Sequence, residues 1–192
     1  MQTLTRQYTL AEYRCLEETA EERHEYHNGT LTAMTGGTFE HSAISLNIAS
    51  ALKTLLKKTS FKPCNSDLRI WLPAAQKGVY PDVLVIDGQP EFSAGRRDEI
   101  LNPKLIVEVL SRSTEAYDRG DKFKYYRTIP TFTEYLLVNQ YQPWVERYSK
   151  TESGDWLLQS YEDLTAAIAL NTGNAILTLA DIYEDIEFSV EA

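Results

Sequence analysis

The chain has 192 residues, of which 43% are hydrophobic and 24% charged, a composition that fits one ordinary globular domain and excludes fibrous, mucin-like and wholly disordered readings. Its formal net charge of −9 repels phosphate and, taken whole, argues against a nucleic-acid partner. That acidity is regional: the stretch from Glu152 to Ala192 carries nine acidic residues and no Lys or Arg, and the remainder balances at nineteen acids against nineteen bases.

In chain order, Met1–Arg6 shows no apolar run behind its cation, so no signal peptide is expected. Thr9-Leu10-Ala11-Glu12 has the form of a capping box and predicts a first helix running to about Arg23. Asn28-Gly29 predicts a tight turn, Thr30 to Met34 a strand, and Gly36-Gly37 a break. From His41 to Lys58 the residues Ile44, Ile48, Ala51, Leu52 and Leu55 fall on one helical face, with Lys53, Lys57 and Lys58 at the end whose dipole favours cations.

Leu68 to Leu72 alternates as a half-buried strand does, while Val83 to Ile86 and Leu105 to Leu110 are short apolar strands. Ser111 to Thr114 offers caps for a helix to about Arg127. Beyond Pro130, Tyr135–Val138, Val145–Tyr148 and Trp156–Ser160 read as β segments joined by Asn139-Gln140 and Ser153-Gly154 turns. Leu177, Leu179, Ile182 and Ile186 predict that the acidic segment 152–192 packs as a short helix, its charges forming a solvated face. With no repeat or long linker, residues 1–192 form one layered α/β domain. No segment approaches the ~20 apolar residues of a membrane span. Cys15 and Cys64 are too few for a disulfide framework or a zinc site, although one bridge between them is left open, and a cytoplasmic location follows.

Chemistry centres on Asp82 and Glu108. Glu108 interrupts an apolar strand, and a buried carboxylate costs several kcal/mol unless it is protonated, paired or bound to metal. Asp82 opens a second strand of the same kind, so neighbouring strands would converge two hard oxygen donors on one Mg²⁺ or Mn²⁺. The plainer readings are a turn residue after Pro81 and a buried ion pair to Arg or Lys. His24 and His27, without Cys or further His partners, are expected to be exposed. His41 lies near a helix N-terminus, which disfavours its protonated form. Tyr125 and Tyr126 suit either base stacking or packing. No phosphate-binding or dinucleotide glycine motif and no GxSxG elbow occurs.

Pro81-Asp82 followed by Glu108 resembles the PD-(D/E)XK nuclease pattern. Glu25-Tyr26-His27-Asn28-Gly29, His41, Pro81-Asp82-Val83, Glu108-Val109-Leu110-Ser111 with Ser113-Thr114, Asp118-Arg119 with Lys122, and Glu134-Tyr135-Leu136 together resemble the Uma-type family of putative restriction endonucleases, over roughly residues 8–148. The resemblance implies a restriction-endonuclease-like core, a mixed central β-sheet flanked by α-helices with additional β-hairpin strands, and a divalent metal at one sheet edge. It implies Asp82, Glu108 and Glu25 as ligands of Mg²⁺ (or Mn²⁺), and His41 and Asp118 as residues supporting them. The chain departs from the pattern at Leu110, where a lysine would stabilise the transition state. Lys122, on the helix after the Glu108 strand, is the candidate replacement, with Lys124 on a different face. Asp118 and Arg119 can equally form an ion pair at the helix start.

The window Arg112 to Arg127 carries five cations and three anions, so Arg112, Arg119, Lys124 and Arg127 are candidate DNA contacts. The expected activity is metal-dependent endonucleolytic hydrolysis of DNA, with homodimerisation compatible with cutting two strands. The alternative is a catalytically inactive nuclease-fold module used for binding or regulation, motivated by Leu110 and the acidic C-terminal region. Two-carboxylate hydrolysis of a sugar has no support in the motif order.

Overall fold

The computed structural model describes residues 6–34 and 36–188; Met1–Thr5 of the leader reading and Glu191 of the acidic segment lie outside them. Helix α1 (Leu10–Glu17) starts at the expected capping box, with Thr9 accepting from the Glu12 amide and the Glu12 carboxylate accepting from the Thr9 amide. It stops at Glu17, short of Arg23. Beyond that point the chain offers only Ala20 as an apolar residue, and a helix without a packed face does not propagate stably.

Strands β1 (His24–His27) and β2 (Thr30–Ala33) form a hairpin through Asn28 and Gly29, at φ 45° and 95°. Two successive positive φ values are what a two-residue turn matching the strand twist requires, and Asn-Gly supplies them. Helix α2 (Phe39–Leu55), capped by Thr38, fully buries Ile44, Ile48 and Leu52 but leaves Leu55 exposed.

The following strands are β3 (Phe61–Asn65), β4 (Arg69–Leu72), β5 (Lys77–Val79), β6 (Val83–Asp87), β7 (Glu99–Ile100) and β8 (Pro103–Leu110). After β8 the expected helix is broken into α3 (Glu115–Tyr117), a π-helical turn (Asp118–Lys122) and α4 (Phe123–Tyr126). The chain closes with β9 (Glu134–Asn139), β10 (Val145–Lys150), β11 (Trp156–Tyr161), β12 (Ala167–Ala169), β13 (Ile176–Thr178) and α5 (Leu179–Ile182).

The main sheet has the order β11-β10-β9-β8-β6-β3, with β8 and β9 its parallel pair and the other neighbours antiparallel. The β8–β9 crossover is the interrupted helix. On one face Val83, Val85, Val107 and Val109 pack against α2 and α5; on the other Leu84, Ile86 and Ile106 meet Phe123, Tyr126 and the apolar side of a smaller sheet, β2-β1-β5-β4-β7. Each such aliphatic side chain contributes about 1.5–3 kcal/mol on full burial.

Six strands escaped the sequence reading, among them the four-residue β1 (His24–His27), whose His-Glu-Tyr-His run shows no apolar alternation. β5, β7, β12 and β13 have three residues or fewer, and β3 contains Lys62 and Pro63, the proline being tolerated because β3 is an edge strand. The strand at Leu68–Leu72 is not half-exposed: all of β4 is buried, including Arg69, whose guanidinium reaches Glu99 at 2.8 Å and Tyr13 at 3.1 Å. The acidic C-terminal segment packs through Leu177, Leu179 and Ile182, all fully buried. Its helix covers only Leu179–Ile182, Leu177 belonging to β13. Cys15 and Cys64 are free thiols. Among the described residues no helix is long and apolar enough to cross a membrane.

Candidate active site

Antiparallel pairing of β6 with β8 sets Val83 opposite Val107. Asp82, just before β6, therefore lies beside the end of β8, where its Oδ2 accepts a hydrogen bond from the Val109 amide at 2.7 Å. Glu108, one residue earlier on β8, projects to the face covered by the crossover helix and is 3% exposed. Both line a cavity of about 490 Å³ at the C-terminal end of β8, together with Glu25 from β1, His41 from α2, and Asp118 and Lys122 from the π-helical turn.

Lys122 Nζ is 2.8 Å from Glu108 Oε1, 3.3 Å from Asp118 Oδ1 and 3.8 Å from Glu25 Oε1. Tyr126 donates its hydroxyl to the same Glu108 Oε1 at 2.7 Å. Burial, opposed by Lys122 and reinforced by the charges of Asp118 and Asp82, pushes the Glu108 carboxyl well above the usual carboxylate range. Burial alone would disfavour the Lys122 ammonium, yet Glu108, Asp118 and Glu25 more than offset it and hold its pKa above the ordinary lysine value. Burial dominates the Glu108 shift, and the crowding of four carboxylates around one ammonium adds to it and dominates the Lys122 shift.

His41 Nε2 stands 3.4 Å from Asp82 Oδ2. That hydrogen bond outweighs burial and raises the imidazole pKa, the opposite of the effect expected from a helix N-terminus, because the facing Asp82 carboxylate favours the protonated ring. The end of β8 is tied to α2 through Gln140, which donates to the Leu110 carbonyl at 2.8 Å and accepts from Thr38 at 2.7 Å. Thr38 in turn accepts from the His41 amide, so the cap of α2 and the carboxylate strands are one hydrogen-bonded frame.

The π-helical turn is an uncommon element, met mostly as a single turn within α-helices and frequently at functional positions. It places Asp118 and Lys122 inward, 2% and 6% exposed, and so orients Asp118 away from the Asp118–Arg119 pairing considered above. Arg119 pairs instead with Glu115, at 2.8 Å, and with Glu146. Of the candidate DNA contacts, Arg112 lines the cavity, whereas Arg119, Lys124 and Arg127 do not. Arg127 lies over the Phe123 ring at 5.0 Å and Lys124 is exposed.

His24 is not exposed, because Glu17 at the end of α1 holds its Nδ1 at 2.9 Å; His27 is exposed and approaches the Tyr125 ring. Tyr126 is fully buried, so of its two expected roles it takes packing and not base stacking, and Gln140 lines the cavity without having been singled out for it. The Tyr126 hydroxyl is oriented by long-range packing, and a glutamine in a turn carries no local signal.

Among the described residues no three His, Cys, Asp or Glu groups already form a metal cage; the Lys122 ammonium stands between Glu108, Asp118 and Glu25. The donor set nonetheless fits a hard divalent cation: it is made of carboxylate oxygens, is over-supplied with negative charge, and leaves the buried Asp118 Oδ1 with the Lys122 ion pair at 3.3 Å but no hydrogen bond.

The profile of a family described as "Uma2: Putative restriction endonuclease" matches residues 10–188. Two proteins of Synechocystis sp. are similar: uncharacterized protein sll1609, 36% identical over 80% of this chain and 87% of its own length, and uncharacterized protein slr1290, 39% identical over 79% and 78%. The crystal structure of a putative nuclease belonging to DUF820 from Anabaena variabilis superposes with a TM-score of 0.73 over 91% of this chain and 97% of that one, at 16% identity. That likeness shows the fold, a restriction-endonuclease-like mixed sheet flanked by helices.

Proposed function

The chain belongs to the Uma2 family of putative restriction endonucleases, and from that premise we propose that it is a metal-dependent nuclease that hydrolyses phosphodiester bonds in DNA at the Asp82–Glu108–Lys122 cluster. The observation that carries the reading is Lys122 Nζ at 2.8 Å from Glu108 Oε1. Leu110 stands where the superfamily pattern has its lysine, and an ammonium delivered from the following helix to the same carboxylate supplies the missing charge. Of the two motives for the inactive-module reading, Leu110 and the acidic C-terminal region, this answers the first.

Asp82 and Glu108, with Glu25, are the residues that would hold Mg²⁺ or Mn²⁺. Such a cation supplies Lewis acidity toward the phosphoryl oxygen and lowers the pKa of bound water. The chain's own groups do the rest. His41 and the Val109 amide fix the Asp82 carboxylate, and Tyr126 fixes Glu108. Lys122, held protonated by three carboxylates, offsets charge that develops on the phosphoryl oxygens as water adds to phosphorus and one P–O ester bond breaks. The products are a phosphomonoester and a hydroxyl. Two free thiols suit a reducing cytoplasm as the place of action.

Calorimetric titration of Mg²⁺ and Mn²⁺ into the wild type and the Asp82→Ala/Glu108→Ala double variant, with cleavage of mixed DNA substrates in the same samples, tests this. Binding and cleavage should both vanish in the double variant. Cation binding without any cleavage by the wild type would favour the binding module instead.

A further inference from the structure

A nuclease site on a chain of net charge −9 faces a difficulty of affinity. Binding to duplex nucleic acid draws most of its free energy from many Lys and Arg contacts to phosphate. Among the described residues the cavity is lined by two such side chains, Lys122 and Arg112, against four carboxylates. Lys122 is committed to Glu108, Asp118 and Glu25. Arg119, which the sequence offered as a further contact, is committed to Glu115 and Glu146. Charge alone does not hold a long polyanion here.

The cavity mouth offers a different source of affinity. Tyr141 lines it and is 44% exposed. An exposed tyrosine in a turn is ordinarily free to change rotamer, but this one is fixed at both ends. Its backbone amide donates to Asn139 Oδ1 at 2.7 Å, and its phenol oxygen accepts from the Arg112 amide at 3.3 Å. The Arg112 guanidinium lies over the ring, its Cζ 5.2 Å from the centroid. The result is a rigid aromatic plate backed by a cation beside the carboxylate cluster. An aromatic face held in this way stacks on a nucleobase, an interaction available to any base but only once that base is out of a duplex. The cavity volume of about 490 Å³ is within the range of pockets that enclose a small ligand rather than a helix.

We propose that Tyr141, backed by Arg112, is a stacking subsite for an unpaired nucleobase, so that the substrate of this site is an unpaired strand. The inference rests on the nuclease reading and narrows its substrate. Stacking on Tyr141 supplies the affinity that the charge distribution withholds, in the same cavity that Asp82, Glu108 and Lys122 line.

The test is fluorescence-anisotropy binding and cleavage, with Mg²⁺ present, for the wild type, Tyr141→Phe and Tyr141→Leu. The probes are a labelled single-stranded oligonucleotide of DNA or RNA, the same strand with abasic positions, and the blunt duplex. Tyr141→Leu is expected to weaken single-strand binding by about five- to 150-fold, the range for loss of one base stack, while Tyr141→Phe stays within about twofold of the wild type and the abasic strand is insensitive to either change. Comparison of the DNA and RNA strands tells which sugar the subsite accepts. A wild type that cleaves duplex at least as well as single strand, with Tyr141→Leu unaffected, would overturn the subsite and leave the nuclease reading standing. Absence of cleavage of every nucleic acid by the wild type would instead overturn the nuclease reading and the subsite with it.

Discussion

Replacing Lys122 by Met isolates the electrostatic role of the ammonium, because the new side chain fills similar space without charge. In the folded protein Lys122 is 6% exposed and lies 2.8 Å from Glu108, itself 3% exposed. Removing one partner of a buried pair costs about 3–5 kcal/mol, since the other charge is left without compensation. Protonation sets an independent ceiling. At pH 7 an ordinary carboxyl takes up a proton at a cost of about 1.4 kcal/mol per pH unit above its pKa, or about 4 kcal/mol in all. The two routes agree, and for a domain of this length about 2–4 °C per kcal/mol predicts a melting temperature lower by about 8–16 °C.

The pH dependence gives the loss a signature. Burial and the neighbouring acids already hold the Glu108 carboxyl above its unfolded value, with Lys122 the largest opposing influence. In Lys122→Met the folded carboxyl rises further, so the folded state binds a proton that the unfolded state releases. Stability from such a group is present at low pH and is lost as pH rises through the folded pKa. The deficit against wild type should therefore shrink between pH 7 and pH 5, by up to about 2.7 kcal/mol for one proton. Thermal and urea melts of both proteins at the two pH values measure it. Equal stability at pH 7, or a deficit that stays constant to pH 5, would refute the assignment of Lys122 as the counter-ion of a buried carboxylate.

Glu134→Ala should destabilise by about 3–5 kcal/mol, because the fully buried carboxylate accepts from Arg147 at 2.7 Å, from the Asn171 and Thr172 amides at 2.8 Å each, and from the Thr172 hydroxyl; an unchanged urea midpoint would show that it does not clip the C-terminal segment to β9. The two thiols should react at distinct rates with an aromatic disulfide reagent. Cys15 is exposed and fast, and Cys64 slow because burial pushes its thiol up. A single fast phase of two thiols would contradict the packing of β3.

Local physics made part of this protein legible in one dimension. The 3.6-residue period announced α2, a capping box started α1, Asn-Gly turned the first hairpin, and apolar runs located β6 and β8. A carboxylate in the β8 run marked Glu108 as a residue needing a partner, and the order of short motifs pointed to the family. What local pattern could not fix was which elements touch. The adjacency of β6 and β8 follows from burying both sheet faces at once, a condition that spans the whole chain. The inward turn of Asp118 and Lys122 depends on a π-helical register that their sequence does not announce. Whether a cation is available to a ligand depends on its distant neighbours: Arg119 is spent on Glu146 because β10 lies beside it, and His41 is raised because Asp82 faces it. Periodicity along the chain therefore determined the elements and the suspicion of a carboxylate site. Only the tertiary structure decided which side chains share that cavity and which charges face one another, because electrostatics acts through space and not along the sequence.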